Sequence, residues 1–456
     1  MKHYEHVVIG FGKGGKTLAG ALAKAGHSVA LIERDPAMYG GTCINVACIP
    51  SKFLEDHARA SAMMGGSFEE KAARYRQTIL QKRDLTAALR AKNYAKAAES
   101  GVEVIDGEAR FLDDRHVAVA TAGGELQLEA EKIYVNTGAL PVMPAIAGAQ
   151  ESRYTFTSEG MMELESLPRR LVIVGGGYIG LEFASYYLNF GSEVTMIQNG
   201  GEFLPREDAE VAAAVRKSLE ARGLKMMMNA ETRQITDENG FARVTVELPE
   251  GIRALEAEAV LVAAGRRPNL EGLHPEAAGI ALTSRGAIET NEHLQTSAAN
   301  IYAMGDVAGG LQFTYISLDD SRIVRSAVMG DGSRTTRNRP LVPYSVFIDP
   351  PFSRVGLTEE EAKKQYGKVA VARLEAAAIP KAKVLGRTDG LLKAVIDPAT
   401  GKLLGAHFFC AESHELINLV RLAMDAGIPY PVLRDSIYTH PTMTEALNDL
   451  FAAVKE

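Results

Sequence analysis

Two stretches of the chain share one order of apolar and polar positions. In each, an apolar run ends at a cluster of glycines, a helical stretch with one apolar face follows, and a second apolar run closes on a polar residue. The first stretch extends from Val7 to Glu33 and the second from Leu171 to Gln198. This order predicts a βαβ unit with two parallel strands in each stretch.

The glycines between strand and helix follow the spacing of a dinucleotide-binding turn in both units. Glycines at these places let backbone N–H groups and the positive end of the helix approach a pyrophosphate. Glu33 lies 23 positions after Gly10, and Gln198 lies 23 positions after Gly175. The two predicted nucleotide turns contain Gly10, Gly12 and Gly15, and Gly175, Gly177 and Gly180.

Each unit ends with another apolar run and a glycine. Thr137 and Gly138 end the first unit, and Gly265 and Arg266 end the second. The first unit is longer because it contains an insertion with a helical stretch over 83–98. We predict an α/β fold with two Rossmann-like, doubly wound nucleotide-binding domains.

Composition and charge indicate a large globular protein. The 456 residues predict about three domains, and 46% hydrophobic with 23% charged residues is ordinary for globular chains. The net charge of −7 argues against nucleic-acid binding, since such domains are normally basic. No apolar run reaches the ~18 residues of a membrane span, and no signal-peptide pattern precedes the first strand. We expect a cytoplasmic protein without membrane contact.

Cys43 and Cys48 lie five positions apart behind a glycine pair, in a chain with three cysteines. A dithiol this close can open and close as a small ring, as a catalytic redox pair must. A structural zinc site would need four Cys or His ligands at short spacings, and no second cluster occurs. Two inert buried thiols are the other alternative. Sparse cysteine suits a reducing cytoplasm, where a disulfide is transient and catalytic. Cys410 is predicted to be a core residue.

The run from Gly40 to Lys52 resembles the redox-active disulfide segment of the FAD-dependent pyridine nucleotide–disulfide oxidoreductases. This family includes glutathione reductase, dihydrolipoamide dehydrogenase and mercuric reductase. It usually has glycine where this chain has Ala47. The extra methyl group is tolerated in a helix, but it shifts the geometry where φ is positive or where the flavin comes close.

The resemblance covers essentially the whole chain and implies three domains. A split FAD-binding domain comprises 1–146 and 271–340, and an NAD(P)H-binding domain comprises 147–270. A C-terminal α+β dimerisation domain comprises 341–456. The resemblance also implies a homodimer.

The resemblance assigns FAD to the first unit and NADH or NADPH to the second. Glu33 can accept hydrogen bonds from a ribose, and it would repel a 2′-phosphate. Gln198 is neutral, so the choice between NADH and NADPH stays open. Arg206 is a candidate for a phosphate contact or an ordinary surface residue. The other FAD contacts implied by the family are Gly41, Thr42, Lys52, Gly107, Thr137, Gly138, Asp306 and Thr314.

The resemblance also assigns the residues of electron transfer. Cys48 faces the flavin and Cys43 faces the acceptor. Lys52 and Glu182 match an ion pair near the flavin N5, and Tyr178 matches a side chain that covers the nicotinamide pocket. A helix that starts within the cysteine segment would favour thiolate over thiol.

A candidate acid–base pair lies near the C-terminus. His440 and Glu445 match a family motif in which the histidine protonates the departing thiolate of the partner subunit's disulfide and the glutamate orients the histidine. Thr442 and Glu445 also form a capping-box pattern that could simply start the last helix. Both interpretations can hold together.

We expect the electron acceptor to be a small molecule or a metal ion. Segments 312–320 and 342–347 resemble the bacterial reactive-chlorine-resistance flavoproteins, relatives of mercuric reductase. This branch implies reduction of a metal ion such as Cu(II) or Hg(II) in oxidative-stress defence, with no resident metal site. The alternatives are a dihydrolipoamide dehydrogenase or other disulfide reductase, which His440 and Glu445 favour, and a flavoprotein redox sensor.

Overall fold

The computed structural model describes residues 1–454, so Lys455 and Glu456, the last residues of the predicted dimerisation domain, lie outside it. The first part of the chain forms seven strands and four helices. In chain order they are β1 (Lys2–Ile9), α1 (Lys13–Lys24), β2 (Val29–Glu33), α2 (Thr42–Asn45), α3 (Cys48–Met64), α4 (Phe68–Glu99), β3 (Glu103–Asp106), β4 (Glu108–Phe111), β5 (His116–Thr121), β6 (Gly124–Val135) and β7 (Ala139–Pro141).

The second part contains the second glycine turn. Its elements are β8 (Thr155–Phe156), α5 (Ser158–Met161), β9 (Arg170–Val174), α6 (Tyr178–Phe190), β10 (Glu193–Gln198), α7 (Ala209–Ala221), β11 (Lys225–Met228), β12 (Glu231–Asp237), β13 (Ala242–Leu248), β14 (Gly251–Ala257), β15 (Ala259–Val262) and β16 (Arg266–Pro268).

The remaining elements comprise a return to the first sheet and a C-terminal unit. They are β17 (Ile301–Ala303), α8 (Thr314–Met329), β18 (Tyr344–Val346), β19 (Phe352–Gly356), α9 (Glu359–Tyr366), β20 (Ala370–Glu375), α10 (Pro380–Leu385), β21 (Leu391–Ile396), β22 (Leu403–Phe409), α11 (Ser413–Asp425), α12 (Tyr430–Asp435) and α13 (Ala446–Ala452).

The strands of both predicted βαβ units pair in parallel, although β5 adds antiparallel pairs with β6 and β4 to the first sheet. The first sheet has the order β3-β2-β1-β6-β5-β4, and β17 pairs in parallel with the end of β6. The second has the order β11-β10-β9-β15-β8 and is parallel throughout. β1 and β9 are buried over their apolar runs, as parallel strands covered on both faces require. The predicted α/β class with two Rossmann-like domains is confirmed.

The chain leaves the first sheet after β6 and returns to it at β17, beyond the second sheet. The bounds 1–146 and 271–340 of a split FAD domain remain a prediction. A separate antiparallel sheet, with the order β18-β19-β22-β21-β20, follows. Together with helices α9 to α13 it forms the predicted α+β unit.

The helix α4 contains the stretch that the sequence predicts as helical over 83–98. It begins with a capping box in which Ser67 and Glu70 bond each other's backbone N–H groups. The helix has 32 residues but is largely polar. Across residues 1–454, no helix combines the length and the apolar character needed to cross a bilayer.

A buried lysine links the second sheet to the C-terminal sheet. Lys393 on β21 is 3% exposed in its side chain and donates to Asp208, the residue that caps α7, at 2.9 Å. Its Nζ also lies 2.7 Å from Glu359 and 3.1 Å from Glu210. These acids raise the pKa of Lys393 although burial opposes the shift. The ammonium therefore stays charged and holds the start of α7 against β21.

Replacing Lys393 by Met should destabilise the protein, because Asp208 would keep a buried charge without its partner. The expected loss is about 3–5 kcal/mol in the free energy of unfolding, measured by chemical denaturation. The double variant Lys393→Met/Asp208→Asn should recover part of that loss. Lys364→Met breaks an exposed pair with Glu360 and serves as the control with little change. Equal effects of the two single substitutions would contradict the assignment.

Candidate active site

Most of the predicted site residues line one cavity of about 1780 Å³. It extends along the first glycine turn, past the cysteine pair, to the start of α6 and the C-terminal sheet. The predicted residues that line it are Gly10, Gly12, Glu33, Gly41, Thr42, Cys43, Cys48, Lys52, Gly107, Thr137, Gly138, Tyr178, Glu182, Gly265, Arg266, Asp306 and Thr314.

The predicted residues outside this cavity fall into three groups. Gly15 and Gly180 pack a helix against a strand, since a Cβ there would lie 2.5 Å and 2.2 Å from the carbonyl oxygens of Gly10 and Gly175. Gly175, Gly177 and Gln198 form the second turn. His440 and Glu445 do not line the cavity of their own chain.

The cysteine pair lies at a junction of two helices. Cys43 is in the short helix α2, and Cys48 is the first residue of α3, so the helix start predicted within this segment lies at Cys48. Ala47 precedes it with φ −145° and ψ −101°. The residue is therefore neither helical nor left-handed, and no positive φ opposes its methyl group.

The electrostatics of the pair distinguish the two sulfurs. A hydrogen bond with Cys43 lowers the pKa of the Cys48 thiol, and Thr314 and Lys52 act in the same direction against the effect of burial. The Thr314 hydroxyl lies 3.4 Å from the Cys48 sulfur. The same bond, together with burial, raises the pKa of Cys43. The surroundings of the pair therefore favour a thiolate at Cys48 and a protonated thiol at Cys43.

An ion pair lies beside Cys48, one helical turn further along α3. Lys52 Nζ is 2.7 Å from Oε2 of Glu182 on α6, whose side chain is 13% exposed. The other oxygen of Glu182 accepts from the backbone N–H of Phe347 at 2.9 Å. Lys52 also lies over the Phe347 ring, 4.8 Å from its centre. Three distant segments of the chain therefore position this pair.

The first glycine turn fits a flavin dinucleotide. Gly10 has φ +102°, which only glycine adopts without strain, and a Cβ there would meet the Asn136 carbonyl oxygen at 2.4 Å. Glu33 accepts from the Phe11 backbone N–H at 3.0 Å, close to the turn. Burial raises the pKa of Asp306, whose carboxylate has no hydrogen-bond or ion-pair partner within residues 1–454. A half-buried carboxylate of this kind can accept hydrogen bonds from the hydroxyl groups of a ribityl chain.

The second turn repeats the geometry of the first. Gln198 Oε1 accepts from the Gly176 backbone N–H at 2.8 Å, as Glu33 does from Phe11. A Cβ at Gly177 would meet no atom within 4 Å, so the turn is open on that side for a ligand. This arrangement fits the pyrophosphate of a nicotinamide nucleotide.

Arg266 and Arg206 contribute charge to the cavity near this turn. Arg266 follows Gly265, which has φ +109°, and donates to the Ala139 carbonyl at 2.6 Å. This hydrogen bond connects the end of the second nucleotide unit to the end of the first. Arg206 lines the same cavity, so it remains a candidate for a contact with the nucleotide.

His440 and Glu445 are paired, as the sequence predicts. His440 Nδ1 lies 2.7 Å from Glu445 Oε2, and the histidine side chain is 70% exposed. Thr442 and Glu445 also exchange the two bonds of a capping box, at 3.3 and 3.4 Å, just before α13. These bonds fix the turn before the helix, whose own N-cap residue is Glu445 and has no side-chain cap bond. The catalytic role of His440 remains a prediction that needs a second subunit.

Several residues of the site lack an assigned role in the sequence prediction. Asn136 accepts from Gly15 N–H at 2.8 Å and donates to the Met304 carbonyl at 2.6 Å, so it holds the first glycine turn against the end of β17. The sequence feature that could have indicated this role is its position directly before Thr137 and Gly138, which end the first unit. Phe347 and Tyr344 reach the site from segment 342–347, which the sequence marks by its family resemblance without giving either residue a role. Glu207 contacts Tyr178, and no local motif marks it.

The remaining cysteine is separate from this site. Cys410 is fully buried in the apolar core of the C-terminal unit, and burial raises the pKa of its thiol to about 12. A buried neutral thiol is inert, as the predicted core position implies. Among residues 1–454, no group of three or more His, Cys, Asp or Glu side chains is arranged to hold a metal ion.

Comparison with protein families agrees with this geometry. The family "Pyridine nucleotide-disulphide oxidoreductase" matches residues 4–321, and the dimerisation domain of that family matches residues 342–451. The chain belongs to the pyridine nucleotide-disulphide oxidoreductase family, whose members are FAD- and NAD(P)H-dependent reductases. The predicted family, enzyme class and cofactors are confirmed, and the dimerisation domain indicates a homodimer.

Individual relatives indicate which members of the family this chain resembles. The "Probable pyridine nucleotide-disulfide oxidoreductase RclA" of Escherichia coli (strain K12) is 47% identical over 456 residues, which is 100% of both chains. A mercuric reductase of Staphylococcus aureus is 34% identical, covering 97% of this chain and 81% of its own. A dihydrolipoyl dehydrogenase of Geobacillus stearothermophilus is 31% identical, covering 97% and 94%.

A solved structure matches the whole chain. It is the Cu(II) complex of the HOCl-induced flavoprotein disulfide reductase RclA from Escherichia coli, with TM-score 0.94, 47% identity and 100% of both chains covered. Our chain is therefore a flavoprotein disulfide reductase of the RclA type, related to mercuric reductases.

The pKa of Cys48 should depend on the hydrogen-bond donor at position 43. Cys43→Ala removes the donor, so the Cys48 thiolate should form about 1 pH unit higher than in Cys43→Ser, which keeps a hydroxyl. Lys52→Met should also raise the pH at which the Cys48 thiolate forms. The long-wavelength absorbance of a thiolate beside bound flavin, followed against pH, measures the midpoint. Cys410→Ala is the control, and equal midpoints in the Ser and Ala variants would contradict the assignment.

Proposed function

We propose that this protein uses NAD(P)H to reduce a metal ion of the Cu(II) or Hg(II) kind through Cys43 and Cys48, in the cytoplasm and in defence against oxidative stress. The observation that carries the proposal is the cysteine pair itself. Its two sulfurs differ in pKa, and a half-buried ion pair lies one turn away. The likeness to a reductase with a Cu(II) complex and to a mercuric reductase supports the choice of acceptor.

FAD, when bound at the first turn, supplies two-electron transfer between a nicotinamide and a disulfide. The electrons and atoms balance as follows. NAD(P)H and one proton convert the Cys43–Cys48 disulfide to a dithiol and leave NAD(P)⁺. Two Cu(II) ions then take one electron each and become Cu(I), while the dithiol returns to the disulfide and releases two protons.

The residues around the pair have separate proposed roles. Thr314 and Lys52 stabilise the Cys48 thiolate, since each lowers the pKa of that thiol. Glu182 holds Lys52 in place, and the Phe347 backbone holds Glu182. Gly10, Glu33 and Asp306 bind and orient the FAD. Tyr178 covers the nicotinamide side of the cavity.

A disulfide reductase such as a dihydrolipoamide dehydrogenase is the second candidate. The observation in its favour is the His440–Glu445 pair, in which an exposed imidazole is oriented by a half-buried carboxylate. A thiolate leaving group needs a proton, whereas a metal ion that accepts one electron does not. The histidine is therefore the residue on which the two candidates differ.

A panel of acceptors tests the choice. We expect NAD(P)H oxidation to be faster with Cu(II) or Hg(II) than with lipoamide or glutathione disulfide, all at matched concentrations and without oxygen. Cys43→Ala and Cys48→Ala should each lose most of the metal-dependent rate, while Cys410→Ala should keep it. Fast lipoamide turnover without any response to metal would overturn the proposed acceptor.

The variant His440→Ala separates the two candidates further. Its turnover with a disulfide acceptor should fall by about 10²-fold or more, since general acid catalysis contributes that much. Its turnover with Cu(II) and its reduction by NAD(P)H should change little. Stopped-flow absorbance for the reductive step and steady-state rates for each acceptor measure this. Unchanged disulfide turnover would exclude the acid–base role.

A further inference from the structure

The buried carboxylate of Glu207 joins the second nucleotide unit to the C-terminal sheet. Its side chain is 0% exposed. Tyr178 donates its hydroxyl to Oε1 of Glu207, and Tyr344 donates to the same oxygen at 2.7 Å. Arg354 Nη1 lies 3.3 Å from the other oxygen. Both oxygens of this buried charge therefore have partners, as a buried ion requires.

Tyr178 brings this network to the active-site cavity. It is the first residue of α6, and Glu182 follows one turn later on the same face. Glu182 pairs with Lys52, which is one turn after Cys48 on α3. The tyrosine ring therefore lines the part of the cavity between the second glycine turn and the cysteine pair.

We propose that Glu207 and Tyr344 are positioning residues that determine how readily Tyr178 leaves the cavity when a nicotinamide nucleotide binds. The inference rests on the proposed role of Tyr178 as the cover of that site. With Tyr178 in place, Oε1 of Glu207 has two hydroxyl donors. With Tyr178 displaced, the Tyr344 hydroxyl remains and keeps the buried oxygen satisfied.

The two hydroxyls therefore have opposite effects on nucleotide binding. The Tyr178 hydroxyl stabilises the covered state, so its removal makes uncovering easier. The Tyr344 hydroxyl is needed most when Tyr178 has left, because Oε1 would otherwise have no donor in a buried place. Burial raises the pKa of Tyr178 to about 12 and that of Tyr344 as well, so both hydroxyls stay protonated at neutral pH.

The contacts of the Tyr344 ring do not involve its hydroxyl, so a phenylalanine at this position removes the hydroxyl and keeps the packing. Its ring stacks on Phe313 with centres 5.6 Å apart, and it lies 5.8 Å from the Tyr178 ring. The Arg354 guanidinium is 5.6 Å from the ring centre. Tyr344→Phe keeps these contacts, as Tyr178→Phe keeps the cover itself.

Calorimetric titration of the oxidised FAD-loaded dimer with NAD⁺ and with NADP⁺ tests the inference. The nucleotide that binds the unaltered protein more tightly serves as the probe. We expect Tyr178→Phe to lower its Kd by about tenfold and Tyr344→Phe to raise it by about tenfold, the size of one hydrogen bond to a charged group. Glu207→Gln weakens the bond to Tyr178 and should lower the Kd.

Tyr4→Phe is the matched control, because Tyr4 also donates to a carboxylate, Glu103, at 2.7 Å, away from the cavity. Visible flavin absorbance and the thermal midpoint identify any variant that fails to fold. If Tyr344→Phe fails, Glu207→Gln takes its place; its Kd should fall, as that of Tyr178→Phe does, and a rise would overturn the inference. Shifts of the same sign in Tyr178→Phe and Tyr344→Phe would overturn the inference, because a general loss of structure weakens binding in both.

A Tyr178→Ala variant separates two kinds of failure. If it changes the Kd while both phenylalanine variants do not, Tyr178 is the cover and the Glu207 network has no part in it. If Tyr178→Ala also leaves the Kd unchanged, the proposed role of Tyr178 fails and the inference fails with it.

Discussion

The active site depends on a helix that begins at one member of the cysteine pair. Because Cys48 is the first residue of α3, its sulfur lies at the positive end of a 17-residue helix. The Cys43 thiol and the Thr314 hydroxyl lie against the same sulfur. A thiolate is therefore stabilised at one sulfur of the pair, and the other retains its proton. This asymmetry gives the two sulfurs different chemical roles.

One half-buried ion pair and two buried ones connect this site to the rest of the molecule. Lys52 and Glu182 join α3 to α6, and the backbone of Phe347 joins α6 to the C-terminal segment. Glu207 and Asp208, adjacent in sequence, are both bound by cations of the C-terminal sheet, Arg354 and Lys393. An unpaired charge in such places is strongly destabilising, so these contacts hold the second nucleotide unit in one position relative to the cysteine pair.

The local patterns of the chain were sufficient to predict both nucleotide turns. The spacing of the glycines reflects the local backbone of each turn, which residues close together in the chain determine. Gly10 has the positive φ that the pattern implies, and Gly177 has the open side. The pairing of His440 with Glu445 was also predictable, since the two residues are five positions apart in one turn. The interpretation of Ala47 needed the backbone angles, because no pattern in the sequence states φ.

The sequence by itself determined the two βαβ units, the cysteine pair and the family to which the chain belongs, because each depends on residues close together along the chain. Only the tertiary structure decided which groups surround the pair. Thr314 lies 266 positions from Cys48, and Tyr344 lies 137 positions from Glu207. Such contacts form because charged and hydroxyl groups from separate elements need hydrogen-bond partners inside the protein. Which groups become partners depends on how the elements pack.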